Sequence, residues 1–154
     1  MKGINRISDI SMESVSRDDF DFILDLERES FNVQDQLDRE SLEEFFCDYS
    51  DGIYKILSGG IPAGYFLLLI DNGEGYIESI AIGKEFRKRG LGLTALRFIV
   101  NKFNSMGIKK ISLHVRTDNH AAIYLYEKEG FMKTEIVDSF YPDGKPAFIY
   151  TLDL

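Results

Sequence analysis

A chain of 154 residues that is 44% hydrophobic and 13% aromatic is long and apolar enough for one folded domain, which excludes a disordered composition. Its formal net charge of -8 argues against a nucleic-acid-binding protein, and no run of apolar residues is long enough to span a membrane. The N-terminus lacks the apolar core of a secretory signal, and the single cysteine, Cys47, permits no internal disulfide. We therefore expect a single cytoplasmic domain over residues 1–154.

The N-terminal half predicts a strand, two helices and three more strands. Residues 1–10 are interpreted as a loose lead-in, and residues 11–16 alternate weakly, as an edge strand does. In the first helix Phe20, Ile23 and Leu24 recur at helical spacing, and glycine-rich turns between the later strands favour an antiparallel meander. The predicted bounds are helices over 17–31 and 38–49 and strands over 52–57, 59–71 and 73–83.

The C-terminal half predicts a helix, a strand, a second helix and two closing strands, which gives a mixed α/β domain. Apolar residues at helical spacing mark the first of these helices, which should end near Gly107. Asp118 or Asn119 starts the second helix, and Gly130 closes it. The turn Pro-Asp-Gly-Lys joins the last two strands. The predicted bounds are helices over 91–103 and 119–130 and strands over 109–118, 131–141 and 146–154.

Charge is distributed unevenly along the chain. Residues 9–51 contain 15 acidic and three basic side chains, whereas residues 84–116 contain nine basic side chains and one acid, Glu85. This asymmetry favours two ligand-binding surfaces, an acidic one that attracts cations and a basic one that attracts anions. Ordinary solvated helix faces would also produce it.

A cationic, glycine-rich segment stands between the last strand of the meander and the helix over 91–103. A helix N-terminus presents unpaired backbone N–H groups and a partial positive charge, and glycines let an anion approach the backbone closely. Three basic side chains add formal charge, so the segment has the chemistry of a pyrophosphate site. Its residues are Arg87, Lys88, Arg89, Gly90, Leu91 and Gly92.

Several known glycine patterns compete for this segment. The Walker pattern is absent, whereas residues 90–95 match the dinucleotide fingerprint G-x-G-x-x-[GA]. That fingerprint should follow its strand directly, yet seven residues separate Ile82 from Gly90. A purely structural turn and a coenzyme loop of the form Arg-x-x-Gly-x-Gly are the other interpretations, and the loop alone leaves them open.

Two motifs together resemble the GNAT superfamily of acetyl-CoA-dependent N-acetyltransferases. Arg87, Gly90 and Gly92 match its coenzyme loop, [Q/R]-x-x-G-x-[G/A], and residues 115–131 match its later segment, a strand followed by N-x-x-A-x-x-L-Y-x-x-x-G-F. The resemblance covers residues 11–154, and the C-terminal segment is similar to that of protein N-terminal acetyltransferases. It implies a mostly antiparallel central sheet of about six to seven strands, flanked by about four helices, with splayed central strands.

The resemblance also implies acetyl-CoA as the co-substrate and no metal. The coenzyme pyrophosphate would bind at the glycine loop, and a bulge in the strand over 73–83 would free backbone groups for the pantetheine arm. The further residues implied to bind the coenzyme are Ile80, Ala81, Ile82, Asn119, Ala122 and Tyr126.

The implied chemistry is direct attack of an amine on the acetyl thioester. The amine must be neutral, so a base is useful, and the departing thiolate gains from a hydrogen-bond donor. Tyr126 matches the donor position, with a core tyrosine as the alternative, and Tyr124 two residues away faces another direction. Glu78 is the preferred base and His114, on the neighbouring strand, is its rival; each could instead be a polar group on an exposed strand face.

The acceptor is an amine-bearing small molecule or peptide. Phe140 and Tyr141 resemble the aromatic loop that lines the peptide cleft of N-terminal acetyltransferases, and Phe31 is a further candidate for the acceptor site. The acidic first third favours a cationic amine such as a peptide N-terminus, a lysine or a polyamine. Neither a nucleic acid nor a membrane is expected as a partner, and a homodimer is plausible. The alternative function is a catalytically silent acyl-CoA-binding regulatory domain.

Acetyl-CoA should raise the melting temperature, because a ligand that binds only the folded state stabilises it by RT ln(1 + [L]/Kd). At a concentration of about 100 Kd the gain is roughly 2.7 kcal/mol. NAD, NADP and ATP should give much smaller shifts in the same thermal melts. A larger shift with NAD than with acetyl-CoA would favour the dinucleotide interpretation.

Overall fold

A seven-stranded sheet and four α-helices form the part of the chain that the computed structural model describes, residues 9–154. The predicted order of elements is confirmed, and the bounds differ by a few residues at their ends. Most of the predicted lead-in over residues 1–10 lies outside the described residues, and Ile10 opens the first strand. The elements are β1 Ile10–Ser14, α1 Phe20–Ser30, α2 Arg39–Tyr49, β2 Ile53–Ser58, β3 Ile61–Asp71, β4 Glu74–Ile82, α3 Leu91–Ser105, β5 Lys110–Arg116, α4 His120–Lys128, β6 Met132–Val137 and β7 Ala147–Asp153.

The strands lie in the order β1-β2-β3-β4-β5-β7-β6. The pairs β1–β2, β2–β3, β5–β7 and β6–β7 are antiparallel, and β4–β5 is parallel. The prediction of a mixed, mostly antiparallel sheet is therefore confirmed.

The pairing of β4 with β5 is short. It joins three residue pairs, from Gly75 opposite Ile111 to Ile77 opposite Leu113, although both strands continue beyond it. Glu78 would come next on β4, so the two strands separate just where this candidate base stands. This is the predicted splay of the central strands.

The described chain divides into two compact units, which we name the N-terminal unit and the C-terminal unit. The N-terminal unit holds the described residues up to 68 together with residues 79–95, and the C-terminal unit holds residues 69–78 and 96–154. The expectation of one domain over residues 1–154 stays a prediction.

In the N-terminal unit, α1 and α2 bury one face in a shared hydrophobic cluster. Ser16 and Asp19 form a capping box ahead of α1, in which the Ser16 N–H donates to Asp19 Oδ2 over 2.9 Å. Asp38 caps α2 by accepting a hydrogen bond from the Ser41 N–H over 2.8 Å. The members of the cluster are Val15, Phe20, Ile23, Leu24, Leu26, Leu42, Ile53, Tyr65, Leu67 and Ala81.

In the C-terminal unit, α3 and α4 end just before the two glycines that were predicted to terminate them. Gly107 and Gly130 both adopt a left-handed backbone, with φ of 78° and 96°, after α3 and α4. The Tyr150 hydroxyl of β7 donates to Glu127 of α4 over 2.7 Å. Burial and this hydrogen bond raise the pKa of Tyr150 to about 12. The bond fastens α4 to the sheet beside Tyr126.

A partly buried ion pair joins β2 to the start of α1 in the N-terminal unit. Lys55 Nζ lies 3.0 Å from Asp19 Oδ1, and their side chains are only 19% and 18% exposed. Burial by itself would raise the pKa of Asp19, but hydrogen bonds from Ser16 and Lys55 outweigh it and hold that pKa below its ordinary value. The hydrogen bond to Asp19 likewise raises the pKa of Lys55.

Replacing Lys55 by Met should lower the free energy of unfolding by about 1–3 kcal/mol at neutral pH, because Asp19 would lose a partner in a largely buried position. The depressed pKa of Asp19 means that the contribution is present above about pH 4 and is lost as the pH falls through the folded-state pKa. The difference between the variant and the wild type, measured by urea unfolding, should therefore narrow in acid.

The matched control is Arg28→Met, because Arg28 pairs with Asp25 on the exposed surface of α1. Exposed pairs contribute little, so this control should change stability by less than about 1 kcal/mol. Equal losses for the two variants would contradict the role assigned to the Lys55 pair.

Candidate active site

The glycine loop, Arg87 to Gly90 in the N-terminal unit, is fastened to the end of β4. The Gly83 N–H donates to the Ala63 carbonyl over 2.8 Å, and Arg87 Nε donates to the Ile82 carbonyl over 2.9 Å. These two bonds fix the direction in which the chain leaves the strand.

The backbone of this loop has the geometry of an anion-binding concavity. Lys88 and Gly90 adopt left-handed conformations, with φ of 62° and 85°, and such residues turn successive N–H groups to one side. The first turn of α3 follows directly, where the Thr94 N–H donates to the Gly90 carbonyl over 3.0 Å. The side chains of Arg87, Lys88 and Arg89 are exposed. The loop therefore offers a concave backbone, a helix N-terminus and three cations, which together fit a pyrophosphate.

Two of the predicted loop residues can contribute only their backbone. The Leu91 side chain is 2% exposed and belongs to the core. Gly92 is half-buried and has no side chain. Both lie in the first turn of α3, where backbone N–H groups lack partners within the helix.

The predicted pantetheine segment, Ile80 to Ile82, ends β4. Ala81 is buried in the cluster of the N-terminal unit, and Ile80 and Ile82 are half-buried. A Cβ built on Gly64 would lie 2.5 Å from the Ala81 carbonyl oxygen, so β3 approaches the β4 backbone closely at this point. A role for these residues in binding the coenzyme stays a prediction that concerns their backbone groups.

In the C-terminal unit, His114 lies against the predicted aromatic loop. Its ring centroid is 4.6 Å from that of Phe140 and 6.3 Å from that of Tyr141. Burial lowers the pKa of His114, which favours the neutral imidazole. The fold therefore brings one candidate base together with both aromatic residues predicted to line the acceptor site.

An ion pair holds this aromatic loop in place. Arg116, two residues beyond His114 on β5, lies with Nη1 3.0 Å from Asp143 Oδ2, and its guanidinium carbon is 4.0 Å from the centre of the Tyr141 ring. The Gly144 N–H donates to the Tyr141 carbonyl over 2.8 Å, which closes a turn over residues 141–144, one residue earlier than the predicted Pro-Asp-Gly-Lys turn. Sequence reasoning missed Arg116 and Asp143, because only the turn around Asp143 was visible in the sequence.

Tyr126 on α4 is buried, whereas Tyr124 is 68% exposed, so the two tyrosines do face different directions. The Tyr126 ring packs 5.9 Å from Phe131 and 6.5 Å from Tyr150. Burial raises the pKa of Tyr126 well above its ordinary value, and the nearby Tyr141 hydroxyl adds a smaller increase. The fold thus brings Tyr126 to the aromatic loop, while its burial also fits the alternative of a core tyrosine.

Asn119 and Ala122, both predicted to bind the coenzyme, form the start of the same helix. The Asn119 side-chain oxygen accepts a hydrogen bond from the Ala122 N–H over 3.2 Å. This bond caps α4, so at least part of the hydrogen-bonding capacity of Asn119 serves the helix.

Glu78, the preferred base, stands on β4 at the point where the pairing with β5 ends. Its side chain reaches solvent, yet the protein around it removes enough hydration to raise the pKa of the carboxyl.

Phe31, the remaining candidate for the acceptor site, lies in the N-terminal unit. It follows α1 directly and packs at the edge of the hydrophobic cluster. Its carbonyl accepts a hydrogen bond from Gln36 Nε2 over 3.0 Å. Phe31 therefore belongs to a short, ordered connection between α1 and α2.

Within residues 9–154, no three His, Cys, Asp or Glu side chains are grouped so that they could hold a metal ion. In the same part of the chain, no helix is both long enough and apolar enough to cross a membrane.

The chain belongs to the acetyltransferase (GNAT) family, which residues 20–131 match. An N-alpha-acetyltransferase of Saccharolobus solfataricus is 25% identical over an alignment of 154 positions that covers 92% of this chain and 91% of that protein. The family match over residues 20–131 confirms the family predicted from the two sequence motifs.

Two solved structures share the fold. The NatC complex bound to Gag peptide and CoA aligns with a TM-score of 0.85 and 20% identity over 95% of this chain and 99% of that one. A ribosomal-protein-alanine N-acetyltransferase from Escherichia coli aligns with a TM-score of 0.80 and 22% identity over 94% of this chain and 93% of that one. These likenesses confirm the predicted fold class.

Replacing Gly92 by Asp should abolish the binding of acetyl-CoA and leave the fold largely intact. The new carboxylate would stand in the first turn of α3, where a phosphate is expected, and like charges repel. Isothermal titration calorimetry measures the binding, and the melting temperature without ligand checks the fold.

The control is Gly92→Ala, because the coenzyme-loop pattern accepts alanine at this position; it should retain binding. If Gly92→Asp binds acetyl-CoA as the wild type does, the loop is a structural turn.

Proposed function

We propose that this protein is an N-acetyltransferase that transfers the acetyl group of acetyl-CoA to the α-amino group of a peptide or protein. The observation that carries the proposal is the grouping of His114, Tyr126 and the Phe140–Tyr141 loop in the C-terminal unit. A base, a donor and an aromatic wall are the parts that transfer to an amine requires. The family membership supports the reaction class, and the name of the Saccharolobus relative supports the α-amino acceptor.

Acetyl-CoA, when bound, supplies the activated acetyl thioester. The glycine loop would hold its pyrophosphate through backbone N–H groups and the cations Arg87, Lys88 and Arg89. The end of β4, Ile80 to Ile82, would hold the pantetheine arm through backbone groups.

Two groups are available to take the proton from the attacking amine. His114 is neutral because burial lowers its pKa, and it stands against the acceptor-lining aromatics. Glu78 has a raised pKa and stands where β4 leaves β5. Either group could act directly or through water. A neutral imidazole can accept a proton, and a carboxylate whose pKa is raised binds a proton more tightly than an ordinary one.

Tyr126 would stabilise the leaving thiolate as a hydrogen-bond donor. Since burial raises its pKa well above the ordinary value, the phenol keeps its proton near neutral pH. A donor that keeps its proton stabilises developing charge by hydrogen bonding, without a complete proton transfer.

The α-amino group suits these bases better than a lysine does. An α-amine has a pKa of about 7.7–8.0 and is partly neutral at physiological pH, whereas a lysine has a pKa of about 10.4 and is almost fully protonated. A weak base therefore suffices for the α-amine. The acidic residues of the first third of the chain would attract either cation, and a homodimer stays a prediction.

The test is release of free CoA thiol from acetyl-CoA with a panel of acceptors. We expect turnover with peptides that carry a free N-terminus, and little with the same peptides blocked at the N-terminus and carrying an internal lysine. Binding of acetyl-CoA without turnover on any amine would favour the silent acyl-CoA-binding alternative.

With an accepted peptide, Tyr126→Phe should lower kcat by about 10²–10³, the effect of removing one donor to a developing negative charge. The affinity for acetyl-CoA should change less than about tenfold, because the ground-state sulfur is a poor acceptor. Tyr124→Phe is the matched control on the exposed face of α4 and should be close to neutral.

Wild-type turnover by Tyr126→Phe would exclude it as the donor. If the main effect of Tyr126→Phe is a lower melting temperature, the core-tyrosine alternative is correct.

A further inference from the structure

A hydrogen bond between β7 and α4 lies directly beside Tyr126, the proposed donor to the leaving thiolate. The Tyr150 hydroxyl donates to Glu127 Oε2 over 2.7 Å, and Glu127 follows Tyr126 in the helix. Tyr150 is only 1% exposed, whereas Glu127 is exposed. A buried side chain of the sheet thus reaches a carboxylate that also faces water.

The proton of this bond belongs to Tyr150. Burial, followed by the hydrogen bond and the negative charge of Glu127, raises the pKa of Tyr150 to about 12. The hydroxyl therefore remains a donor at neutral pH. A hydrogen bond from a hydroxyl to a carboxylate is short and strong because charge assists it, and the observed distance lies in that range. The bond can therefore select one arrangement of α4 on β7.

Tyr126 packs against the same tyrosine. The ring centroids of Tyr126 and Tyr150 are 6.5 Å apart, and the ring of Phe131 lies 5.9 Å from that of Tyr126. Contacts between rings fix how closely the helix approaches the sheet, but they tolerate sliding and rotation. A hydrogen bond is directional. The bond from Tyr150 to Glu127 therefore supplies the directional part of the attachment at this point.

The direction of Tyr126 depends on the rotation of α4 about its own axis. Neighbouring residues of a helix point about 100° apart, so a fixed position for Glu127 on β7 also fixes the direction of Tyr126. A rotation of about 10° would move an atom at the outer radius of a helix, about 5–6 Å, by about 1 Å. A displacement of about 1 Å at a reacting centre can lower a rate by about 10²-fold.

We propose that Tyr150 and Glu127 are positioning residues for Tyr126, which they hold in its donor position by fixing the rotation of α4 on β7. The proposal rests on the proposed acetyl transfer, in which Tyr126 is the donor. Tyr150 and Glu127 act through the helix and do not themselves touch the reacting atoms. All three residues belong to the C-terminal unit.

Tyr150→Phe removes only the hydroxyl and keeps the ring that packs against Tyr126 and Phe148. The variant should fold, because the exposed Glu127 can bond to water instead. With an accepted peptide, kcat should fall by about tenfold, because the Tyr126 hydroxyl would no longer be held in place. The KM values for acetyl-CoA and for the peptide should stay within about twofold, since neither residue contacts a substrate.

Two substitutions of Glu127 separate its hydrogen bond from its charge. Glu127→Met keeps the length of the side chain but has no oxygen, so it should lower kcat as Tyr150→Phe does. Glu127→Gln is the conservative variant, because its amide oxygen can still accept a hydrogen bond from Tyr150. It should keep kcat within about twofold of the wild type. An equal loss of kcat in both variants would assign the effect to the charge and overturn the proposal.

The matched control is Arg97→Met, because Arg97 makes another attachment of the same helix. Arg97 Nε of α3 lies 3.0 Å from Glu129 Oε1 at the end of α4, and the Arg97 side chain is 58% exposed. Exposed pairs contribute little to stability, so kcat should stay within about twofold. An equal fall of kcat in Arg97→Met and Tyr150→Phe would show that any loosening of α4 has this effect, which would overturn the particular role of Tyr150.

A double variant tests whether Tyr150 acts through Tyr126. Once Tyr126→Phe has removed the hydroxyl that is to be positioned, adding Tyr150→Phe should change kcat by less than about twofold. If Tyr150→Phe lowers kcat by the same factor with and without Tyr126→Phe, Tyr150 acts independently of Tyr126 and the proposal is wrong.

Nuclear magnetic resonance of the protein with ¹³C-labelled tyrosine rings gives a readout that does not need activity. The signal of Tyr126 is identified by its loss in Tyr126→Phe. It should shift in Tyr150→Phe and Glu127→Met, and it should stay at the wild-type position in Glu127→Gln and Arg97→Met. Because Tyr150→Phe keeps a neighbouring ring, a shift reports a displacement of Tyr126.

Failure of the proposed function and failure of the positioning role give different results. If the wild type acetylates no amine, the proposed function fails by itself, and an unchanged Tyr126 signal in Tyr150→Phe then overturns the positioning role independently. If the wild type is active, a lower melting temperature of Tyr150→Phe with an unchanged kcat would make the bond purely structural.

Discussion

The short pairing between β4 and β5 is the constraint on which the rest of the structure depends. Parallel strands normally pair along their length, because buried backbone groups need hydrogen-bond partners. Here the pairing stops after Ile77 and Leu113, and the residues that follow on each strand are the two candidate bases, Glu78 and His114. Strands that separate leave backbone groups for another partner, which a coenzyme arm can provide. Because the strands separate there, no β4–β5 pairing flanks Glu78 and His114, as it would in an ordinary parallel sheet.

A single physical effect acts on the three proposed catalytic groups of the C-terminal unit. Removal of water raises the pKa of Glu78, lowers the pKa of His114 and raises the pKa of Tyr126. Desolvation disfavours whichever form is charged, so the shifts differ in sign but all favour neutral groups. An environment of this kind also favours the neutral form of an incoming amine, which is the form that attacks. The glycine loop has the opposite character, with three exposed cations suited to a dianionic pyrophosphate.

Two elements that carry proposed site residues are fastened by similar means. The aromatic loop is held by Arg116 through Asp143 and the Tyr141 ring, and α4 is held by Tyr150 through Glu127. In each case the side chain of a strand residue bonds to the element that carries the site residue. A site built partly on a loop needs such supports, because loops by themselves are more mobile than the helices and strands that they join.

The sequence by itself predicted the order of the elements, a cap for α4 at Asp118 or Asn119 and the family, because periodicity, capping residues and the two sequence motifs are local signals. The structure selects Asn119 as the cap. It also separated Tyr124 from Tyr126, since positions two apart on a helix point in different directions. Only the tertiary structure placed His114 under Phe140, joined Arg116 to Asp143 and brought Tyr150 to Glu127. Local patterns carry no information about which distant side chains meet. Those contacts and the pKa shifts that follow from burial arise only when the packed strands and helices exclude water around particular groups.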